Sequence, residues 1–250
     1  MSDKVSIITP LHNSSSFIAD TIDSVLAQRY DHWELLIVDD ASNDQSAAIV
    51  QAYQEKDPRI KLFRNSSNQG PAITRNRAIR EATGRFIAFL DSDDLWLPDK
   101  LQLQINFMLK HQYAFTFGAY DKITESGEKA GRITVPESVS YRDLLKTCSV
   151  GCLTAIYDTR MLGKVYLPII DKRQDYALWL RILKIIPKGY GMDAVLGKYR
   201  LRGNSISGNK LNAAKYQWRV YREIEGLSVF SSAYYFIFYM LHGAIKTYLK

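Results

Sequence analysis

Three carboxylates stand directly after a short apolar segment, at a spacing suited to binding a cation. Residues Phe86 to Leu90 form a run with no polar residue, which is typical of a strand buried on both faces. The run ends in Asp91, Asp93 and Asp94. Because carboxylates are costly to bury unpaired, such a cluster needs a cation or several hydrogen-bond donors. We therefore expect a divalent metal that holds a phosphorylated ligand here.

An alternative without a ligand remains open for these acids. Asp94 would then cap a helix that begins near Pro98, and Asp91 and Asp93 would be solvated loop residues. The metal interpretation is favoured, because ligands collect at the carboxyl ends of strands in open α/β sheets.

Strand-like and helix-like segments alternate through the amino-terminal half. The segment Leu35–Val38 is also strand-like and also ends in acids, Asp39 and Asp40. The alternation has the spacing of βαβ units and predicts an α/β fold with a largely parallel sheet flanked by helices. The expected strands are residues 5–10, 35–38, 60–63, 86–90, 115–120 and 132–135, and the expected helices are 17–26, 45–54, 72–82 and 141–146.

The composition is that of a single globular protein. The chain has 250 residues, 46% of them hydrophobic, which is enough for one large domain with a sizeable core. Cys148 and Cys152 are its only cysteines, so we expect neither a structural zinc site nor a secreted disulfide framework. We expect both to be small buried hydrophobic residues rather than nucleophiles. A first strand at Val5 leaves no room for a signal peptide, so a cytoplasmic setting is expected.

The positive charge is concentrated towards the carboxyl terminus. The formal net charge is +7, from 33 Lys and Arg against 26 Asp and Glu. From Lys198 onward there are nine basic and two acidic residues, so the chain before it is balanced. The segment from Gly226 to Ile245 carries no charge and is rich in aromatic residues. A nucleic-acid surface is not expected, because these aromatic residues do not alternate with the basic ones.

Three interpretations of this end of the chain remain open, and all place a helical tail at 208–250 after a first domain at 1–207. A helix in the membrane interface would put tyrosines at headgroup depth and cations beside anionic lipid. A helix packed on the protein body or on a second subunit is the structural alternative, which leaves an oligomer open. A membrane-spanning helix is disfavoured, because the segment contains serines, tyrosines, His242 and Gly243.

Four motifs, in order, resemble those of the family 2 glycosyltransferases with the GT-A fold. The family pattern is Pro-x-aromatic-Asn, Val-Asp-Asp-Gly-Ser, Asn-x-Gly-x-x-x-Ala-Arg-Asn and Phe-x-Asp-x-Asp-Asp. The resemblance covers residues 5–207 and implies a Rossmann-like sheet that binds a nucleotide-sugar. The matching segments are Thr9-Pro-Leu-His-Asn13, Val38-Asp-Asp-Ala-Ser42, Asn68-Gln-Gly-Pro-Ala-Ile-Thr-Arg-Asn76 and Phe89-Leu-Asp-Ser-Asp-Asp94.

The resemblance implies roles for individual residues. Asp39 matches the acid that hydrogen-bonds the nucleotide base, usually uracil, and Thr9 and Pro10 would line the same pocket. Asp91 matches the acid near the ribose, and Asp93 the acid that holds Mn²⁺ or Mg²⁺ against the diphosphate. These two aspartates are the expected metal ligands. The expected nucleotide-sugar-binding set is Thr9, Pro10, His12, Asp39, Asp40, Asn68, Gly70, Arg75, Asp91, Ser92, Asp93 and Arg202.

Several positions depart from the family pattern or have a plainer interpretation. His12 replaces the aromatic residue of the first motif, and Ala41 replaces the glycine of the second. Arg202 stands where the family has His; an arginine can pair with a diphosphate but cannot ligate a metal. Arg75 matches a basic residue near the donor phosphates or sugar, although Arg75 and Asn76 could also belong to a satisfied surface helix.

The resemblance also implies a catalytic base. The family draws this carboxylate from a Glu-Asp pair that opens a helix, and the best match is Asp175, with Gln174 in place of the Glu. Asp175 would take the proton of the acceptor hydroxyl. The alternative role is a stabilising charge in the first turn of a helix. Residues 150–154 match the acceptor side of the family's site.

These features predict an inverting, metal-dependent glycosyltransferase that acts in cell-surface polysaccharide synthesis. The stretch from Lys198 to Arg222 resembles bacterial enzymes of teichuronic acid and related polysaccharides. The expected donor is a UDP-sugar, and the expected acceptor is a hydroxyl of a lipid-linked glycan at the inner membrane face. Two alternatives remain: a nucleotidyltransferase of similar fold, and a sugar-nucleotide-binding subunit without turnover.

Overall fold

Ten strands form one sheet in the computed structural model, which describes residues 3–203 and 210–248. The strands are β1 (Val5–Leu11), β2 (Trp33–Asp39), β3 (Ile60–Arg64), β4 (Phe86–Phe89), β5 (Leu95–Trp96), β6 (Phe115–Ile123), β7 (Lys129–Ile133), β8 (Ser138–Val139), β9 (Ile156–Asp158) and β10 (Gly189–Arg200). The helices are α1 (Ile18–Leu26), α2 (Ser46–Gln54), α3 (Pro71–Glu81), α4 (Lys100–His111), α5 (Tyr141–Lys146), α6 (Thr159–Leu162), α7 (Gln174–Ile185), α8 (Lys210–Arg219) and α9 (Val229–Tyr248), with a π-helical turn at Val220–Ile224.

The amino-terminal half of the sheet is parallel, as the βαβ spacing predicts. Strands run in the order β3-β2-β1-β4-β9-β6-β10-β5, and every pair from β3 to β4 is parallel. Beyond β4 the sheet is mixed: β9 is antiparallel to both of its neighbours, and β6 forms a hairpin with β7. The central sheet with flanking helices confirms the predicted α/β class.

Both faces of the central strands are covered. Ile8, Leu36 and Phe89 belong to one buried cluster, while Ile7 and Leu35 belong to a second. Because successive side chains of a strand point to opposite faces, these clusters lie on opposite sides of the sheet. The apolar runs seen in the sequence therefore mark strands buried on both faces.

The helix after the acidic motif is not capped by Asp94. Helix α4 starts at Lys100, its N-cap residue is Asp99, and no side chain caps it. Asp94 is instead 2% exposed and its carboxylate accepts a hydrogen bond from the Arg200 backbone N–H at 2.9 Å. The capping alternative for Asp94 is therefore wrong, and this acid joins the turn after β4 to the end of β10.

The carboxyl-terminal helices pack on the body of the protein through one face. Val220 and Tyr221 are fully buried in the cluster that also contains the α7 core. The Glu225 carboxylate is fully buried and lies 2.6 Å from Lys184 Nζ of α7. Within the described ranges, no helix combines the length and hydropathy needed to cross a membrane. Residues 204–207, the end of the stretch that resembles the family, lie outside those ranges.

Candidate active site

The loops that carry the sequence motifs meet at one edge of the sheet. Leu11 of β1 is in register with Asp39 of β2, and Ile8 of β1 with Phe89 of β4. Because these strands are parallel, the loops that follow them leave the sheet on the same side. The structure thus brings together the segments after β1, β2, β3 and β4, as the motifs require.

Asp40 organises the loop that precedes α3. Its carboxylate accepts hydrogen bonds from Asn65 Nδ2 at 2.7 Å, Gln69 N at 2.9 Å and Gly70 N at 2.8 Å. Asp40 is 4% exposed, and Gly70 has a φ of 84°, a conformation that favours glycine. These contacts explain why an acid at this position is followed, thirty residues later, by a glycine: together they fix the start of α3.

His12 bridges three of the loops. Its Nδ1 lies 2.9 Å from the Asp40 carbonyl oxygen, and its Nε2 lies 3.2 Å from Asn68 Nδ2. The imidazole therefore ties the loop after β1 to those after β2 and β3. This contact gives the histidine a positioning role at the site where the family has an aromatic residue.

The residues expected around the nucleotide base lie at the end of β1 and β2. Asp39 is 4% exposed and accepts a hydrogen bond from the Ser42 backbone N–H at 3.2 Å. Thr9 is fully buried, and its hydroxyl has no partner among the described residues. Pro10 is half-buried beside them. The threonine thus lies beneath the edge, while the Asp39 carboxylate faces the loop.

Ala41 adopts the backbone conformation that explains the family's glycine. Its φ is 55°, in the left-handed region, which costs a non-glycine residue roughly 1–2 kcal/mol. The chain keeps the turn after β2 despite the alanine, so the replacement strains the loop without changing its path.

The buried Arg75 forms an ion pair with Asp91, whose side chain is 31% exposed. Arg75 is 6% exposed and donates from Nη2 to the Asp91 carboxylate. Burial alone would lower the pKa of Arg75, but the charge of Asp91 raises it. Arg75 Nε and Nη1 are buried and have no hydrogen-bond partner in the described part of the chain. A buried guanidinium with unused donors is suited to an anionic ligand.

Ser92 and Asn76 serve the scaffold. Ser92 is 7% exposed, and its hydroxyl hydrogen-bonds the Ser14 hydroxyl at 2.9 Å. The Asn76 side chain binds the Leu167 backbone through both its amide nitrogen and its oxygen, at 2.9 and 2.7 Å. Ser92 therefore holds the acidic turn against the first loop, and Asn76 holds α3 against the segment before α7.

Asp93 is the carboxylate of this turn that remains available to a ligand. Arg202 Nη1 lies 3.3 Å from its Oδ2, and the Asp93 side chain is 22% exposed. Burial and the charge of Asp91 raise the pKa of Asp93, and Arg202 opposes this shift. Burial disfavours the charged form of this carboxylate, and a divalent cation bound beside it would favour that form. Hard carboxylate oxygens are the ligands that Mg²⁺ and Mn²⁺ prefer.

Asp175 and the acidic turn line the same cavity, which has a volume of about 560 Å³. It is the second residue of α7 and is half-buried, and its carboxylate accepts no hydrogen bond from any described residue. Its place in the first turn of α7 is also that of a charge that stabilises the helix, so the structure is compatible with both expected roles. The cavity is lined by, among others, Arg75, Asp91, Asp93, Asp94, Tyr120, Cys148, Val150, Cys152, Arg173, Asp175, Tyr199, Arg202 and Ala213.

The cavity also includes residues that sequence reasoning did not single out. Arg173 has a left-handed φ of 64°, and its Nη2 donates to the Tyr239 hydroxyl of α9 at 2.6 Å. Tyr120 and Tyr199 line the floor, and Ala213 of α8 lines one side. No signal local to the sequence marks these residues, because each reaches the cavity through a long-range contact.

The cysteines near the cavity are not arranged for catalysis. Cys148 and Cys152 are free thiols that line the cavity. Burial raises the pKa of the Cys152 thiol well above its usual value, so this sulfur stays protonated at neutral pH. A protonated thiol is a poor nucleophile. The Val150–Leu153 segment lines the cavity opposite the acidic turn, where the resemblance places the acceptor.

Comparison with known proteins gives the chain a family. A protein of Bacillus subtilis (strain 168) named as a teichuronic acid biosynthesis glycosyltransferase, TuaG, is 45% identical over 97% of this chain and 96% of its own length. The Escherichia coli UDP-Glc:alpha-D-GlcNAc-diphosphoundecaprenol beta-1,3-glucosyltransferase WfgD is 40% identical over 97% of this chain and 94% of its own.

Solved structures share the fold. The crystal structure of S. aureus TarS 1-349 in complex with UDP superposes with a TM-score of 0.68 at 25% identity, over 79% of this chain. The chain spans 60% of the length of that structure. The sequence model of glycosyl transferase family 2 matches residues 6–166, which contain all four loops of the sheet edge. The chain belongs to glycosyl transferase family 2.

Proposed function

We propose that this protein is an inverting glycosyltransferase that moves a sugar from a UDP-sugar to a hydroxyl of a lipid-linked cell-surface glycan. The observation that carries the proposal is a single cavity lined by Arg75, Asp91 and Asp93 together with Asp175. The first three are suited to a nucleoside diphosphate and its metal, and Asp175 to proton removal.

The donor side is supported by the unused donors of Arg75. Its buried Nε and Nη1 would pair with phosphate oxygens or with the sugar, while Nη2 remains on Asp91. Arg202 borders the same space and would contribute a second guanidinium, a geometry that matches phosphate. The UDP-bound relative and the UDP-Glc-specific relative favour uracil among the bases.

A divalent metal, Mn²⁺ or Mg²⁺, fits the acidic turn and is part of the proposal. Asp93 would hold it, with Asp91 close by. In the described residues no cluster of three or more His, Cys, Asp or Glu is arranged to bind a metal, so the remaining ligands would be diphosphate and water oxygens. Bound there, the cation would supply charge neutralisation of the leaving diphosphate.

Asp175 is assigned as the general base. Its carboxylate would accept the proton of the acceptor hydroxyl as that oxygen attacks the anomeric carbon. The carbon–oxygen bond forms on the face opposite the departing nucleoside diphosphate, so one displacement inverts the configuration. Gln174, in place of the family's Glu, is 9% exposed beside it, and its Oε1 has no partner among the described residues.

The acceptor class rests on the relatives at 40–45% identity over nearly the full chain. One is named for teichuronic acid biosynthesis, and the other for transfer to a sugar on diphosphoundecaprenol. Such an acceptor would place the reaction at the cytoplasmic face of the membrane.

The first experiment is a thermal-shift panel of UDP, GDP, TDP and CMP, each with and without Mn²⁺. A ligand at about 100 times its Kd stabilises a protein by roughly 2.7 kcal/mol, which is readily measured. We expect a shift with UDP that Mn²⁺ enlarges. Transfer from UDP-sugars to a synthetic polyprenyl-diphosphate-linked sugar then follows, and the product's anomeric configuration reports inversion.

Two results would redirect the proposal. A protein that binds UDP and Mn²⁺ but transfers from no UDP-sugar would be a sugar-nucleotide-binding subunit. Release of diphosphate from a nucleoside triphosphate and a sugar phosphate would identify a nucleotidyltransferase.

A further inference from the structure

Helix α9 exposes an apolar stripe that is free of charged residues. Phe230 is 89% exposed, the highest value among the large hydrophobic residues. At 100° per residue, the exposed apolar residues of this helix fall within one face of about 140°. The stripe consists of Val229, Phe230, Tyr234, Ile237, Met240 and Leu241, which are 50–89% exposed.

The opposite face of α9 is fixed to the protein. Ser232 is fully buried, Tyr235 and Phe236 pack against the main core cluster, and the Tyr239 hydroxyl accepts a hydrogen bond from Arg173. The helix therefore cannot turn its stripe inward without losing these contacts. Its apolar face is a stable external surface of the folded chain.

Basic side chains border the stripe on both edges. On one edge Phe236 lies next to Met240 by helical spacing, and with Lys215 and Trp218 of α8 it lines a groove of about 570 Å³. Arg219 and Glu223 line the same groove and neutralise each other in an ion pair, which leaves Lys215 as its excess charge. On the other edge Phe238 lies next to Tyr234, and Lys146 Nζ of α5 is 5.3 Å from the Phe238 ring centroid. An apolar strip between cations is the pattern of a helix that lies in a membrane interface.

We propose that the α9 stripe, with Lys146 and Lys215 at its edges, is a docking surface for an anionic lipid bilayer. The apolar side chains would enter the boundary between headgroups and acyl chains, and the lysines would meet lipid phosphates. The excess of basic residues from Lys198 onward matches the charge of such a surface.

A second copy of the chain fits the stripe less well. A twofold contact pairs the same surface of both copies. The edges of the stripe on one copy would therefore meet the edges of the stripe on the other. The lysines on both edges would then approach one another across the contact, and like charges repel. A bilayer with anionic headgroups has a charge opposite to that of the lysines, so it can bind the basic residues on both edges of the stripe at once.

Docking through α9 would also keep the cavity close to the bilayer, with the helix between them. Arg173, one residue before Gln174 and two before Asp175, is held by Tyr239 of the same helix, and Ala213 of α8 lines the cavity. This consequence rests on the proposed function, because it matters only if the acceptor is lipid-linked. The docking itself does not depend on any activity.

The test uses the full chain and two composition-matched double variants. Ile237→Ser/Leu241→Ser removes two stripe residues that are 59% and 54% exposed. Leu103→Ser/Ile185→Ser removes the same two residue types from α4 and α7, where they are 45% and 57% exposed. Each protein is sedimented with vesicles of phosphatidylcholine containing phosphatidylglycerol, and with vesicles of phosphatidylcholine alone, at low and high salt.

We expect the full chain to bind the phosphatidylglycerol vesicles more strongly than the neutral ones, and less strongly at high salt. The stripe variant should lose about tenfold in partition, the effect of withdrawing two apolar side chains from lipid, and the control should bind as the full chain does. Equal melting temperatures and equal UDP shifts would show that both variants are folded.

Three outcomes would overturn the proposal. They are no binding of the full chain to anionic vesicles, equal losses in the two variants, and a dimer in solution that only the stripe variant converts to a monomer. The last would assign the stripe to self-association. If the protein binds vesicles but no nucleotide raises its melting temperature, the docking proposal is supported and the proposed function is contradicted.

Discussion

Arg202 Nη1 lies 3.3 Å from Asp93 Oδ2, so an arginine that replaces the family's histidine contacts the acid proposed to hold the metal. Arg202 follows β10, and Asp93 lies just before β5, which pairs with β10, so the pair joins two neighbouring segments of the sheet edge. An arginine cannot ligate a metal, but its fork of donors matches diphosphate oxygens. Under the proposed function, Arg202 would therefore contact the donor diphosphate while Asp93 holds the metal.

Changing Arg202 to Gln should weaken UDP binding by about tenfold, because one charge-assisted hydrogen bond to phosphate is lost. Calorimetric titration of UDP in the presence of Mn²⁺ measures the change. Arg132→Gln is the matched control, since Arg132 pairs with Asp121 on the exposed β6–β7 hairpin. Equal UDP affinities in the wild type and Arg202→Gln would place the guanidinium outside the phosphate site.

The substitution Asp93→Asn should abolish the part of the UDP thermal shift that depends on Mn²⁺. The amide keeps the size of the side chain but loses the charge that attracts the cation. The control is Asp193→Asn, which changes an exposed residue of β10. A full Mn²⁺-dependent shift in Asp93→Asn would remove this residue as a metal ligand.

Asp175→Asn should keep donor binding and lower kcat by about 10²–10⁴, the range of general-base catalysis. The side chain accepts no hydrogen bond from a described residue, so its loss should leave the melting temperature nearly unchanged. Initial rates with a saturating UDP-sugar, together with the UDP thermal shift, separate the two effects. Near-normal turnover by this variant would exclude Asp175 as the base.

Replacing Ala41 by Gly should stabilise the protein by about 0.5–1 kcal/mol. Removing Cβ relieves the left-handed strain at φ 55°, and the gain exceeds the extra entropy of glycine in the unfolded chain. The control is Ala48→Gly, at an exposed position of α2, and it should destabilise the protein by about 1 kcal/mol. Urea unfolding of the three proteins gives the comparison, and a loss of stability in Ala41→Gly would contradict the strain argument.

Glu34 should make the fold sensitive to acid. It is 1% exposed; burial alone would raise its pKa, but hydrogen bonds from Ser6, Thr83, Lys4 and Lys61 lower it to about 2. Because the folded pKa lies below the ordinary value of about 4.3, this carboxylate stabilises the fold above that pH. The stabilisation is lost as the pH falls from about 4 towards 2.

Glu34→Gln should therefore lower the free energy of unfolding at pH 7 by about 2 kcal/mol, with a smaller difference at pH 3. Chemical unfolding across this pH range tests the expectation. Glu128→Gln, in the exposed turn before β7, should leave the curve unchanged. A constant difference between wild type and Glu34→Gln at all pH values would rule out the titration.

The strands were predictable because their pattern is local. The apolar segments at Ile7–Ile8 and Leu35–Leu36 alternate between the two faces of the sheet, and each ends where polar loop residues begin. The order of motifs then placed Asp39, Asp91 and Asp93 at one edge. The expected strands 115–120 and 132–135 correspond to the hairpin of β6 and β7. The strand β9 was harder, because it has only three residues and pairs with strands that are distant in the chain.

Roles within the site could not be separated by sequence alone. Asp40, Ser92 and Asp94 belong to the same motifs as Asp39 and Asp93. Their side chains, however, form hydrogen bonds within the protein, with Gly70, Ser14 and Arg200 respectively. Ser14 and Ser92 are 78 positions apart in the chain, a separation at which no periodicity reports a contact. Burial and hydrogen-bond partners, known only from the fold, distinguish scaffold from ligand site.

The carboxyl-terminal tail also has features that the sequence alone could not determine. Composition indicated a basic, aromatic helical end but left a packed helix and a membrane helix as alternatives. In the structure, one helix both packs on the protein and exposes an apolar face. Tyr235 and Tyr239 face the body of the protein, while Phe230 and Ile237 face outward. Which aromatic residue faces which way depends on the partner surface, and that surface comes from α5, α8 and the π-helical turn.

The cavity is assembled from two stretches of chain that are far apart in the gene. Its lining combines Pro71 and residues 75–94 with residues after Tyr113, among them Arg202 and Ala213 of α8. Under the proposed function, substitutions at Val150 or Ala213 would change acceptor contacts while Arg75, Asp93 and Arg202 keep those of the donor. Exchange of α8 and α9 between relatives offers a route to chimeric enzymes that build new surface polymers from the same activated sugar.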